Sequence, residues 1–183
     1  MKKKLFITVF TLLLTAAAFA QQTYSIGDIG PAGGTIFYNK GIPSDGWQYL
    51  EFAPQQYEFI APWGQVGRDI SGTRLEIGTG RRNTQLIAEW PTEPAGAAQQ
   101  CASLNINGFI DWFLPSREEL TLMHLFYEQS GFVGFRNAEY WSSSQSTLNQ
   151  AWLQRFSDGT RMNSHDTFPS KNYILYVRAI RQF

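Results

Sequence analysis

The stretch Asp111-Trp112-Phe113-Leu114-Pro115-Ser116-Arg117-Glu118-Glu119-Leu120 decides the fold. Asp111 to Leu114 has the composition of an aromatic strand end, and Pro115 stops it because proline brings no N–H to a sheet ladder. Ser116 and Glu119 stand three residues apart as a capping box. The serine hydroxyl accepts from the Glu119 amide, and the glutamate carboxylate accepts from the Ser116 amide. Glu118 and Glu119 also suit the positive end of a helix dipole. Leu120, Met123, Phe126 and Tyr127 then form one apolar stripe, and Gly131 ends it, which predicts a helix from Ser116 to Gln129.

Downstream of that helix the chain reads as strands. Glu139–Ser143, Ala151–Ser157 and Tyr173–Gln182 all have strand composition, and Asp158-Gly159 is a hairpin signal. Upstream, Thr35–Tyr38 and Trp47–Ala53 predict two strands joined through the turn Gly41-Ile42-Pro43-Ser44-Asp45-Gly46. Residues 54–83 read as a long ordered loop. Asn83 or Thr84 caps a short helix through Trp90, and residues 95–104 form another with Ala97, Cys101 and Leu104 on one face. The sum is an α+β fold: a twisted antiparallel sheet flanked by two main helices, with long irregular loops.

The N-terminus reads as a leader. Lys2, Lys3 and Lys4 precede the apolar run Leu5–Phe19, and Ala18-Phe19-Ala20 is a small-x-small cleavage site. The expectation is a signal peptide over 1–20, export to the periplasm or cell surface, and a single domain over 21–183. No later run is long enough for a membrane helix. Removing the three leader lysines leaves 12 basic against 15 acidic residues, a net charge of −3. That mild acidity gives a nucleic acid no reason to bind. One cysteine, Cys101, precludes an intrachain disulfide and reads as a small buried hydrophobe. With 15% aromatic residues the core has ample material. Trp47, Trp112, Trp141 and Trp152 are expected inside it, and Trp63 and Trp90 partly exposed.

Catalytic signals are sparse. Gly78-Thr79-Gly80-Arg81-Arg82-Asn83-Thr84 lacks the third glycine of a dinucleotide fingerprint and the Gly-Lys-Ser/Thr of a phosphate loop. It reads as a turn before a helix. There is no Gly-x-Ser-x-Gly elbow and no EF-hand pattern. The two histidines, His124 and His165, have no cysteine or carboxylate cluster at metal-ligand spacing. The expectation is no enzyme, no metal and no cofactor.

Four blocks carry a family resemblance: Ile29-Gly30-Pro31-Ala32-Gly33-Gly34-Thr35-Ile36-Phe37-Tyr38, Asp111–Leu120, Tyr140-Trp141-Ser142-Ser143-Ser144 and Val177-Arg178-Ala179-Ile180-Arg181. Together they resemble the DUF1566 family, which includes the C-terminal domain of the Legionella collagen-like adhesin and is distantly similar to Fibrobacter major-domain proteins. The resemblance implies a C-type-lectin-like fold and a non-enzymatic module that recognises a glycan, such as a sulfated or anionic polysaccharide, or a protein of the envelope or host. The alternatives are a structural envelope protein and an enzyme with an unrecognised site. Glu93-Pro94-Ala95 and the serines after Trp141 lack the calcium ligands of sugar-binding lectins. The family is also distantly similar to formylglycine-generating enzymes, whose copper needs a cysteine pair that a single cysteine cannot supply.

On that fold, ligands would be read by the loops 144–150 and 158–172. Arg155, Arg161, His165 and Lys171 are the candidates for an anionic group, since guanidinium forks match sulfate or carboxylate. Asn149, Asn163 and Asp166 are the candidates for sugar hydroxyls.

Overall fold

A computed structural model describes residues 22–156 and 170–183. The expected leader, the expected hairpin signal at residues 158 and 159, and Arg161, Asn163, His165 and Asp166 lie outside the described residues. Within them the class is α+β, with three helices and seven strands.

The capping box forms as the sequence requires. α1 spans Gly80–Ala88, α2 Ala97–Ala102 and α3 Arg117–Ser130. Ser116 caps α3: its Oγ accepts from the Glu119 amide, and Glu119 Oε2 accepts from the Ser116 amide at 2.6 Å. Leu120, Met123 and Phe126 are buried. Gly131 takes the left-handed conformation that ends the helix at little steric cost (φ 68°). α1 starts earlier than the sequence suggests, because Gly80 and not Asn83 opens it.

β1 (Thr35–Ser44) and β2 (Trp47–Phe52) form the expected antiparallel hairpin, with Thr35 opposite Phe52 and Asn39 opposite Tyr49. The remaining strands are β3 (Phe59–Ala61), β4 (Ala138–Gln145), β5 (Ala151–Phe156), β6 (Leu175–Val177) and β7 (Ile180–Gln182). They do not make one sheet. One sheet has the order β1-β2-β7 and the other β3-β6-β4-β5, with β4 and β6 parallel at Tyr140 and Tyr176. The stretch Tyr173–Gln182, which reads as one strand, is two. Val177 ends in one sheet, Arg178 and Ala179 cross, and Ile180 begins in the other. The crossing is held because Ala179 O accepts from the Ala53 amide at 2.9 Å.

Two packed clusters support this frame. One gathers Trp63, Trp112, Trp141, Cys101 and Ile87 beneath α1 and α2. The other packs α3 on the hairpin through Phe37, Phe52, Phe113, Phe126 and Phe156. Trp63 corrects the sequence expectation: it is fully buried, and its Nε1 donates to Ser142 O at 2.7 Å. Trp90 is exposed as expected, whereas Trp152 is only half-buried, under the Arg117 guanidinium.

Candidate functional site

The family-like motifs prove to be fasteners. Glu51, fully buried on β2, accepts from the amides of Ala32 and Gly34 and from Arg181 Nη1. Arg181 also forks onto Asp111 with Nε and Nη2 at 2.9 and 3.1 Å. The glycines let the Gly-Pro-Ala-Gly-Gly loop lie this close to the carboxylate: a Cβ on Gly30 would sit 2.3 Å from Glu51 Oε2. Arg178 is likewise buried, donating to Glu58 Oε2, Gly134 O and Ala53 O. Tyr140 and Arg136 complete the ring around Glu58.

The Tyr-Trp-Ser-Ser-Ser block is a bulge. Tyr140 and Trp141 face Gln154 and Leu153, but Gln145 faces Ala151, so three serines oppose one residue of β5. The bulge hooks onto neighbouring loops. Ser142 Oγ donates to Trp152 O, the Ser143 amide to Pro115 O, and Ser144 Oγ to Arg74 O at 2.6 Å. Ser144 Oγ in turn accepts from the Arg117 amide. Buried Asn83 grips Arg74 from the other side, accepting from its amide and donating to its carbonyl.

These links gather Arg74, the first turn of α1 and the first residue of α3 around Ser144. They present Arg74, Arg81 and Arg82 to solvent, with Arg117 lying 4.3 Å over the Trp152 ring. No ion pair engages Arg74, Arg81 or Arg82 among the described residues. Glu76 and Glu118 are interspersed with them. Arg68, earlier in the same loop, stacks 3.6 Å over Trp90. The sequence alone does not single out these exposed arginines or the two arginine–tryptophan stacks. The sequence signal is the set Arg68, Arg74, Arg81 and Arg82, two in the stretch that reads as a long loop and two in the stretch that reads as a turn before a helix.

Lys171 anchors the adjoining loops. Fully buried, its Nζ donates to Arg68 O and Gln145 Oε1 at 2.8 and 2.7 Å and lies 4.6 Å from the Trp63 ring. Its backbone joins Asn149 and Trp63, the Lys171 amide donating to Asn149 O and Lys171 O accepting from Trp63. Gln145 extends the net to Ile70 and Asp69. Burial lowers the Lys171 ammonium to about 8, with Asp69 opposing the shift. Of the sequence-predicted site residues, the structure therefore joins Lys171 to exposed Asn149. Arg155 stands apart on β5, ion-paired with Glu139 directly across the ladder.

Groups capable of chemistry are engaged elsewhere. His124 sits 3.8 Å from Glu128 and edge-on to Phe156, and burial lowers its pKa. Cys101 is fully buried, which pushes its thiol up. Among the described residues no group of three or more His, Cys, Asp or Glu is placed to hold a metal ion, and no helix is long and apolar enough to cross a membrane.

In comparison with known proteins, the family model described as Lcl C-terminal domain matches residues 68–181. That span includes Arg74, Arg81 and Arg82, the capped helix, the serine bulge and the Val177–Arg181 crossing. No curated protein matches the chain.

Proposed function

The chain belongs to the Lcl C-terminal domain family, and on that premise we propose that it is an exported, non-enzymatic binding module of the bacterial envelope or surface whose ligand is an anionic glycan. The leader over 1–20, the single domain over 21–183 and a C-type-lectin-like architecture are parts of the same proposal. The observation that carries it is the exposure of Arg74, Arg81 and Arg82 around the serine bulge, which ties the backbones of Arg74 and Arg117 together. Arg74, Arg81 and Arg82, which no ion pair engages among the described residues, offer forked donors to sulfate or carboxylate. The sequence-derived loop residues join this proposal at its margin. Asn149 offers a carbonyl and an amide to hydroxyls, while Arg161, Asn163, His165 and Asp166 lie outside the described residues. Lys171 and Arg155 act as supports, one beneath the loops and one within the sheet.

The test is retention on an immobilised heparin-like polymer as salt is raised, alongside an array of neutral and acidic glycans. Retention should fall steeply with salt, since exposed charges are screened within about 10 Å at 0.1 M. The double variant Arg81→Gln/Arg82→Gln should weaken it by about tenfold, or roughly 1.4 kcal/mol. No retention on any acidic glycan would transfer the assignment to a structural envelope protein acting through a protein interface.

A further inference from the structure

An open groove of about 780 Å³ runs between β1 and α3. Phe37 and Phe126 line it from the packed cluster, Leu122 and Leu125 from α3, and Ile26 and Ile29 from the segment before β1. Ile29 is 66% exposed and Leu125 40%, so the structure leaves much apolar surface in water. No lining residue is charged.

The groove runs along a strand edge that is paired only at its start. β1 is the outer strand of its sheet, with β2 on one side. On the other side the chain adds a short strand-like segment of its own. Gly27 N donates to Ile36 O at 2.8 Å, Ile36 N donates to Asp28 O at 2.9 Å, and Ile29 pairs antiparallel with Thr35. The segment then leaves the edge. Tyr24 turns onto the rings of Tyr49 and Phe183, and its amide donates to the Tyr49 hydroxyl. Among the described residues, no backbone of another segment pairs with the outer edge of β1 beyond Ile36.

We propose that this edge and groove form a docking site for an extended, uncharged segment of a partner polypeptide, which adds as a strand beside Phe37–Lys40 and continues the line that Gly27–Ile29 begin. The edge already accepts a strand from its own chain, so its geometry suits another. Main-chain bonds along the edge supply affinity, and the groove takes the alternate side chains of the added strand. The uncharged lining complements an uncharged occupant, because a charged side chain placed there would lose hydration and find no partner. A strand edge left without a backbone partner is otherwise a liability that folded proteins cover or charge, and along this stretch only Lys40 is charged, its ammonium turned onto Asp45 and the Trp47 ring.

The experiment pans phage-displayed short random peptides on the folded chain and synthesises the strongest binder as the probe. The probe should be uncharged, with apolar residues alternating, and should shift the amide resonances of Phe37–Lys40. Methylating alternate probe amides should weaken it by about tenfold or more, and Leu125→Lys and Ile29→Lys, both at exposed positions, should do the same. Near-ultraviolet circular dichroism confirms that each variant is folded. Heparin retention should survive both substitutions, so this site and the exposed arginines are read separately. The inference is overturned if no peptide enriches over the Leu125→Lys protein. It is equally overturned if methylation leaves binding intact, or if sedimentation shows the edge occupied by a second copy.

Discussion

Arg181 and Glu51 face each other across β7 and β2, and Arg181 Nη1 donates to Glu51 Oε1 over 2.8 Å. The same carboxylate holds the amides of Ala32 and Gly34. Glu51→Ala leaves a buried guanidinium with Asp111 alone and two loop amides without an acceptor. The expected loss is about 3 kcal/mol, the lower end for breaking a buried pair because Asp111 remains. Denaturant unfolding measures it as a shifted midpoint at unchanged slope. An unmoved midpoint refutes it.

Glu119 makes stability depend on acid. Burial raises its carboxyl to about 7, against the opposing amides of Ser116, Gly78 and Gly80. A folded value above the unfolded one means the native state holds the proton more tightly. This contribution is fully present below about 4.5 and is lost as pH rises through about 7. Unfolding free energy followed from pH 4 to 8 should carry this decline, and Glu119→Gln should flatten it.

Lys171 has the opposite sign. Its folded value of about 8 lies below the ordinary 10.5, so burial of the charge costs stability below about 8, and that cost is relieved as pH rises toward 10.5. Nitrogen resonances of the ammonium should titrate near 8. In Lys171→Met, Arg68 O and Gln145 Oε1 lose their donor, and hydrogen exchange should quicken at the Ile70 amide, which Gln145 holds. Unchanged exchange at Ile70 would mean that Lys171 does not support the loops.

Cys101 should resist thiol reagents. It is buried and desolvated, and the thiolate is the reactive form. Native protein should give no labelling on the timescale on which unfolded protein labels fully. Fast native labelling would contradict its burial.

What could be read from the sequence was what is local. The hairpin 35–52 and the α3 cap follow from turn chemistry and from a serine and a glutamate three apart, and both stand in the structure. The break at Arg178 and Ala179 could not be read, because it depends on Ala53, Glu58 and Gly134, which lie far away in the chain. Trp63 sits in an irregular stretch without periodicity, so nothing local announced that Ser142 and Lys171 would enclose it. The candidate site suffered most. Whether a basic residue is free or spent depends on cross-strand register for Arg155 and on loop packing for Lys171. The arginines around Ser144 converge only once the serine bulge has formed.

The crossing at Val177–Ile180 also sets an order of events in synthesis. β6 lies between β3 and β4, and β7 completes the other sheet beside β2. Neither sheet can close until residues 175–182 have been made, although the hairpin and α3 can form much earlier. A nascent chain halted before Leu175 would thus expose the unsatisfied edges of β3 and β4 together. The last few strands of this protein decide at one moment whether two half-built layers become one structure or a template for aggregation.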